Sequence, residues 1–570
     1  MTVVLLIAYS LGTNSPHWKG RSMTIARRSV LKGSSAAAAA SVVGAAAEAS
    51  AAPAVPAETA KAPAGPVLHS RPHRVGAPTV LGVHLQFGTD ASSEMTVSWI
   101  TPQSVRRPQV RLGSLDGGHG RVIEAETRTY RDGLSKEEVY VHHARITGLR
   151  PDTTYLYSAG HDGATPETGS FTTAPRGRSA FTFTSFGDQA APNLRREIKL
   201  PDGVPSPVHG FPLYTSSQAA SPASADIVAA VERVGPLFNL VNGDLCYASA
   251  SAPFGQSRVA TWADWFISNS RSTRLRPWMP CVGNAEYEKG NGAIGADGYQ
   301  TYFTLPDSAA SSDEETRGMW YAFTVGAVRF ISLANDDVAI QDGADLRVRG
   351  YSGGAQRRWL ERELKAARAD RDIDWIVVCM HQPMISSTKG GSGSDLGVRS
   401  SWGPLFDAYG VDLVVSGHEH HYERSHPVRG TLPNDTRTPI PTDTRTDLVD
   451  TGRGTVHMVI GAGGNIATTQ NDLFDTPRAW VLVGLSDETN SSGHKKPVRA
   501  PEDAPWAAVQ DREYTHGFAA FDVDPGDRVS GRTRMHVTYY TFDGPHGDLK
   551  PVDTFTLERQ RSDARPAAHR

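Results

Sequence analysis

The sequence predicts two folded parts: an all-β sandwich, then a larger α/β (α+β) domain in which two β-sheets are flanked by helices. Three observations predict this. Between residues 78 and 176, apolar and polar residues alternate in short runs separated by turn residues. From Phe181 the runs become apolar throughout and alternate with helical patterns. Five polar clusters rich in Asp, Asn and His each follow directly on one of those apolar runs.

The chain has 570 residues, which suggests two to four domains. An apolar fraction of 39% and a charged fraction of 21% describe a folding, soluble protein. The formal net charge of −3 excludes a global basic field that would recruit nucleic acid. Arg271, Arg274 and Arg276 form a local basic run that reads either as solvated surface or as a phosphate-guiding patch. Residues 1–51 read as a targeting region. Ala26-Arg27-Arg28-Ser29-Val30-Leu31-Lys32 is similar to a twin-arginine export signal, with Met23 the better-placed start, and an Ala/Gly-rich stretch and small-residue cleavage sites follow. Residues 52–77, rich in Pro and Ala, read as a linker. The apolar run Val3–Leu11 is too short to span a bilayer. The expectation is a secreted protein with no membrane insertion.

In the sandwich, assigned to 78–176, Met95-Thr96-Val97-Ser98-Trp99 alternates as a strand with one buried face should. Comparable runs at Val83–Gly88, Gln109–Gly113, Val139–Ile146, Thr154–Ser158 and Gly169–Thr173 give six or seven short strands. Leu149-Arg150-Pro151-Asp152-Thr153-Thr154-Tyr155 resembles the tyrosine-bearing corner of fibronectin type III-like domains.

The α/β part is assigned to 180–560. Its helices are expected at Ala223–Val234, at Ala355–Asp370, where Trp359, Leu360, Leu364 and Ala367 fall at helical spacing, and at Trp402–Tyr409. Later strands at Thr455–Ile460, Phe518–Val523 and Met535–Phe542 are expected to complete a second sheet, and 191–222, 430–452 and 466–510 read as long loops. Three cysteines occur, Cys246, Cys281 and Cys379. Their odd, sparse count argues against a disulfide framework and their spacing against metal ligation, leaving core packing or a single Cys246–Cys281 bridge.

The five clusters carry the chemistry. FTFTSF leads into Gly187-Asp188, LFNLV into Asn242-Gly243-Asp244-Leu245-Cys246-Tyr247, WMPCV into Gly283-Asn284, DWIVVCM into His381, and VDLVVS into Gly417-His418-Glu419-His420. Together they supply oxygen and imidazole donors for two metal ions, a mixture suited to Fe, Zn or Mn. Ligands at the carboxyl ends of strands are where open α/β sheets bind. A carboxylate can bridge two ions, and Asp244 is the natural bridge because Asp188 already supplies a terminal carboxylate. His418 and His420, two apart, point the same way on an extended backbone, so that each reaches a different ion. An isolated His-x-His or Gly-Asp is weak; the ordered set of five is not.

This set resembles the metallophosphoesterases, and Tyr247 narrows the likeness to the purple acid phosphatase branch, with His420-His421-Tyr422-Glu423-Arg424 and the preceding sandwich extending it over roughly 78–560. The resemblance implies a metallophosphoesterase sandwich fold preceded by a fibronectin III-like domain. It implies that Asp188, Asp244, Tyr247 and His420 hold Fe(III), and that Asp244, Asn284, His381 and His418 hold a divalent Zn, Fe or Mn. It implies an acid phosphatase acting on a small phosphorylated substrate, in which a metal-activated hydroxide attacks phosphorus in line. Two departures stand out: Ala285 occupies the place of the family's usual histidine, and no histidine lies between His381 and His418. The missing acid normally contributes roughly 10²–10⁴-fold. Substitutes are sought in His421, Glu286 and Tyr287, with His516 a further candidate. Phosphodiesterase, nucleotidase or phytase activity on the same site stays open, as does a cell-wall-binding protein with a weakly active metal domain.

Overall fold

Eight strands make up the sandwich: β1 (Leu81–Phe87), β2 (Met95–Thr101), β3 (Gln109–Ser114), β4 (Arg121–Glu124), β5 (Glu126–Arg131), β6 (Glu138–Ile146), β7 (Thr154–Gly160) and β8 (Glu167–Thr172). The computed structural model describes residues 76–564 except 115–119, 193–196, 199–212, 215–218, 249–256, 307–312, 341–347, 390–392, 476 and 490–494. The expected export signal, nearly all of the linker and much of the 191–222 loop therefore lie outside the described residues. No helix among the described residues is long and apolar enough to cross a membrane.

The sandwich strands form two four-stranded sheets, ordered β1-β2-β6-β5 and β4-β3-β7-β8. The two strands absent from the sequence expectation, β4 and β5, are sheet edges rich in exposed charge. Such charges guard edges against pairing and erase the apolar alternation. The tyrosine corner forms: Arg150 N donates to the Tyr155 hydroxyl at 2.9 Å.

The second part contains β9 (Phe181–Phe186), β10 (Phe238–Val241), β11 (Trp278–Pro280), β12 (Tyr321–Val325), β13 (Val328–Ser332), β14 (Trp375–Cys379), β15 (Leu413–Ser416), β16 (Tyr422–Ser425), β17 (Leu448–Asp450) and β18 (Val456–Ile460). Six more follow: β19 (Arg478–Thr489), β20 (Lys495–Asp503), β21 (Ala507–Gln510), β22 (Gly517–Asp524), β23 (Arg532–Phe542) and β24 (Leu549–Gln560). One seven-stranded sheet runs β11-β10-β9-β22-β23-β24-β17 and the other β12-β13-β14-β15-β18-β16-β21. Their inner faces meet through aromatic rings: Phe183 stacks on Phe521 at 4.6 Å within the first sheet and meets Phe330 of the second edge-on at 5.0 Å.

The strands expected after residue 450 divide between the sheets. β18 lies between β15 and β16, whereas β22 and β23 continue the first sheet beside β9. The 466–510 stretch holds the β19–β20 hairpin instead of a loop. β19 carries a short apolar run, Ala479 to Leu485, but its far end and nearly all of β20 are polar and partly exposed, so no apolar partner strand is announced. A buried ion pair, Arg399 to Glu502 at 2.8 Å, anchors it to the domain.

Helices α1 (Ala223–Val234), α2 (Arg258–Thr273), α3 (Asp297–Tyr302), α4 (Ala355–Ala369) and α5 (Leu396–Tyr409) cover the sheets. In α4 the expected Trp359, Leu360, Leu364 and Ala367 are buried. Helix α5 begins ahead of the expected Trp402 because Asp395 caps it, accepting from Gly397 N (2.7 Å) and Val398 N (3.1 Å). Helix α2 escaped the sequence reading because its buried face mixes Trp262, Trp265 and Phe266 with Asp264, Asn269 and Ser272. Its arginine run finds protein partners: Arg271 donates to Ala225 O at 2.9 Å, Arg274 lies 3.7 Å from Glu167, and Arg276 lies 2.9 Å from Glu232.

Buried polar contacts join the two parts. His84 and His143 place ring nitrogens 2.9 Å from the carbonyls of Tyr302 and Thr301, and Tyr130 donates to Glu288 at 2.5 Å. All three cysteines are free and buried, so core packing accounts for them.

Candidate metal centre

Strands β9, β10 and β11 pair in parallel, as do β13, β14, β15 and β18, so their carboxyl ends emerge along one edge of the two sheets. The loops leaving those ends carry Asp188, Asp244, Tyr247, Asn284, His381, His418 and His420. The structure brings all seven together, in two adjoining groups.

In the first, Tyr247 Oη lies 3.0 Å from Asp188 Oδ1 and 3.1 Å from His420 Nε2, and His420 Nε2 lies 3.3 Å from Asp188 Oδ1. In the second, His381 Nε2 lies 3.1 Å from Asp244 Oδ1, 3.0 Å from Asn284 Oδ1 and 3.2 Å from His418 Nδ1. Ligand atoms of Asp188, Asp244 and His381 fall within 4.8 Å of one another, which joins the groups.

The backbone is bent hard to achieve this. Asp188, Asp244, Tyr247 and His418 all take positive φ, from 50° to 71°. The His418-x-His420 geometry thus differs from expectation: His418 is left-handed (φ 71°), not extended, and the turn rather than strand pleating sends the two imidazoles to different groups. Gly243 combines φ 80° with contact so close that a Cβ there would press on His381 Nδ1 at 2.7 Å. A Cβ on Gly417 would collide with Asp188 Oδ2.

Further contacts fix the rings and carboxylates. His381 Nδ1 sits 2.7 Å from Asn242 O and His420 Nδ1 2.5 Å from Ala467 O, which turns each Nε2 inward. Asp188 Oδ2 accepts from His418 N at 2.8 Å, and Asp244 Oδ1 from Ala285 N at 2.8 Å. Burial opposes charge on His381, but Asp244 and Asp188 outweigh it and raise the ring to about 10. Burial and the neighbouring His381 lower His418 to about 3. Burial, with Asp188 and Asp244 beside it, holds the Tyr247 phenol well above its usual range. Two carboxylates, a phenol, an amide oxygen and three imidazoles form a hard-to-borderline O/N donor set that fits a pair of transition-metal cations.

The three residues proposed as proton donors are placed otherwise. Glu286 is fully buried and accepts three backbone N–H groups, from Asp244 (2.8 Å), Leu245 (2.8 Å) and Gly283 (2.9 Å). It holds the Asp244 and Asn284 loops in register, with both carboxylate oxygens engaged by backbone N–H groups. Tyr287 is buried, with its hydroxyl 3.5 Å from that of Tyr351. Both ring nitrogens of His421 are engaged, with Thr469 Oγ1 at 2.8 Å and Glu423 Oε1 at 3.1 Å. His516 Nε2 rests 3.2 Å from Ser221 Oγ.

A sixth strand end was missed. After β13 comes Asn335-Asp336-Asp337, where Asn335 Oδ1 accepts from His381 N (3.2 Å) and Gln382 N (3.1 Å) and so sets the His381 loop. The same grammar of apolar strand then polar cluster was present there, but without His or Gly to draw attention.

Comparison with known proteins follows the same division. Residues 80–173 match the family described as purple acid phosphatase, N-terminal domain, and 218–422 match calcineurin-like phosphoesterase. An uncharacterized protein of Mycobacterium tuberculosis is 54% identical over 499 residues, covering 88% of this chain and 91% of the relative. The chain belongs to the purple acid phosphatase-like metallophosphoesterases. Arabidopsis thaliana purple acid phosphatase 23 is 24% identical, covering 72% of this chain and 85% of the relative. A purple acid phosphatase from yellow lupin seeds superposes with a TM-score of 0.59 at 20% identity, covering 85% of this chain and 76% of that one, and shares the fold. Purple acid phosphatases depend on two metal ions, and the donor set of this chain fits that dependence.

Proposed function

We propose that this protein is an exported phosphatase that hydrolyses phosphate monoesters at a dinuclear centre of Fe(III) and a second, divalent metal. The observation that carries the reading is the division of seven donors into two adjoining groups. Asp188, Tyr247 and His420 would hold Fe(III), and Asn284, His381 and His418 a divalent Zn, Fe or Mn, with Asp244 between them. When bound, such an ion pair supplies charge neutralisation at the phosphoryl group and an acidified water as nucleophile. The chain's own contribution is positioning. Glu286 fixes the Asp244 turn, the carbonyls of Asn242 and Ala467 fix two imidazoles, and strained backbone at four ligands on three loops holds the donors before any ion arrives. Arg27-Arg28 supports export by the twin-arginine route, where a small phosphorylated substrate outside the cell is the partner.

The test is turnover of p-nitrophenyl phosphate against bis-p-nitrophenyl phosphate by purified protein of known metal content. Faster hydrolysis of the monoester, lost on chelation, supports the reading. Faster hydrolysis of the diester overturns the monoesterase assignment, and absence of metal-dependent turnover on both overturns the enzyme. For export, replacing Arg27-Arg28 by two lysines should hold the protein inside the cell; unchanged secretion contradicts the route.

A further inference from the structure

Two buried hydrogen-bond acceptors stand open beside the His381–Asn284 group. Asp336 is 4% exposed and Gln382 1% exposed. Gln382 Nε2 donates to Asp336 Oδ1 at 2.5 Å, which aligns carboxylate and amide side by side. Asp336 Oδ2 and Gln382 Oε1 are then left with no hydrogen-bond partner among the described residues. Buried acceptors are satisfied in the great majority of proteins, and an open one costs roughly 1–3 kcal/mol. Two on touching side chains mark a place prepared for a donor.

Their neighbours do not supply it. Asp337, next in the chain, is engaged by Ser352 N (3.1 Å), Ser352 Oγ (2.6 Å) and Gln356 Nε2 (3.1 Å). Asn335 is spent on the backbone of His381 and Gln382. Tyr287 donates towards Tyr351 at 3.5 Å. Asn335, the residue before Asp336, accepts from His381 N at 3.2 Å, which ties this turn to the loop of the second donor group.

The loops that carry the seven donors are the nearest protein surface to the alcohol portion of a substrate whose phosphoryl oxygens lie among those donors. The His381 loop runs directly into Gln382, and the loop after β13 brings Asp336 against it. Resting on the phosphatase reading, we infer that Asp336 and Gln382 recognise the alcohol portion of the substrate, selecting phosphate esters whose alcohol carries a hydrogen-bond donor, hydroxyl or ammonium, near the ester oxygen. Chemistry at phosphorus is unaffected by this contact. Discrimination arises because an alkyl group leaves both acceptors buried and unpaired, whereas a hydroxyl or ammonium group satisfies them.

Three esters of equal length test it: 2-hydroxyethyl phosphate, 2-aminoethyl phosphate and propyl phosphate, with p-nitrophenyl phosphate as a reference, using the metal-loaded full chain. The parent should favour one or both donor-bearing esters over propyl phosphate by roughly 10- to 100-fold in kcat/KM, mainly through KM. A preference for the aminoethyl ester alone assigns the site to a cation, and equal preference assigns it to hydroxyl and ammonium alike. In Asp336→Ala and Gln382→Leu the preference should collapse towards one, with metal content and p-nitrophenyl phosphate turnover within about threefold of the parent. Asp336→Asn, which keeps the volume, guards against a variant that fails to fold and should lose the aminoethyl preference first. A parent without preference overturns the inference. So does an equal fall on all four esters with loss of metal, which would make Asp336 a positioning residue for His381. No turnover of any ester by the parent overturns the phosphatase reading itself, and this inference with it.

Discussion

Replacing Glu286 by Gln separates positioning from proton donation at the centre. In the folded chain Oε2 accepts from Asp244 N and Gly283 N, and Oε1 from Leu245 N, all within 2.9 Å and fully buried. A glutamine has one carbonyl oxygen, which can keep the first two bonds. Its amide then faces the Leu245 N–H, so one bond is lost and two donors confront each other. A typical hydrogen bond is worth about 0.5–1.5 kcal/mol net, and an unsatisfied buried donor costs about 1–3 kcal/mol. The expected loss is about 2–4 kcal/mol of stability. The Asp244 turn, at φ 50°, has no other side chain holding its N–H, so metal affinity should fall roughly 10- to 100-fold. The assay is thermal unfolding together with metal titration of the apo variant, followed by kcat at saturating metal. The expectation is lower melting temperature, weaker metal binding, and kcat within a few-fold of the parent once reloaded. Unchanged stability and metal affinity with kcat down a hundredfold would refute this reasoning and return Glu286 to proton donation.

Other outcomes follow from individual contacts. Ala285 lies buried with Ala190, Ala220 and Tyr247, beside the donors, so Ala285→His should raise kcat/KM on alkyl phosphates roughly tenfold or more while changing aryl phosphates under threefold; equal changes on both speak against a missing leaving-group acid. Burial lowers His84 to about 4 and puts His143 well below its usual range. A histidine held neutral in the fold stabilises it fully above pH 6.5 and progressively less as pH falls towards its folded value, about 1.4 kcal/mol per pH unit per group. Melting temperature should therefore drop between pH 6.5 and 4, more gently in His84→Gln, and an identical slope in that variant removes the explanation. Arg399→Met leaves Glu502 buried without its cation and should cost about 3–5 kcal/mol, read as a lower denaturation midpoint; a midpoint shift equivalent to under 1 kcal/mol contradicts the anchoring role.

Much of the fold was legible because its strands are buried on both faces and read as apolar runs, each ending in a polar cluster. That pattern located six of the seven donors at strand ends and, through Gly243, Tyr247 on the same turn. It failed where burial is shared with polar groups. Edge strands β4 and β5, helix α2 and strand β20 all carry charged or hydroxyl side chains on faces that the chain buries or guards. The division of late strands between sheets was not readable either, since β18 and β22 have equally apolar sequences and only pairing distinguishes them. At the site, residue types predicted which atoms gather but not which side of a turn each faces. His421 and Glu286 have the chemistry of acids, yet backbone direction commits one to Glu423 and Thr469 and the other to three amides. Asp336 and Gln382 went unread because Asn335-Asp336-Asp337 follows its strand without a His or Gly, and Gln382 stands beside the more conspicuous His381.

The central claim is that seven side chains hold two neighbouring cations, one of them bound by a phenolate. Metal analysis of the purified protein with its visible spectrum tests this most directly. The account predicts two metal ions per chain, at least one of them iron, and a charge-transfer band that disappears in Tyr247→Phe. One ion or none at full occupancy, or a band indifferent to Tyr247, contradicts it.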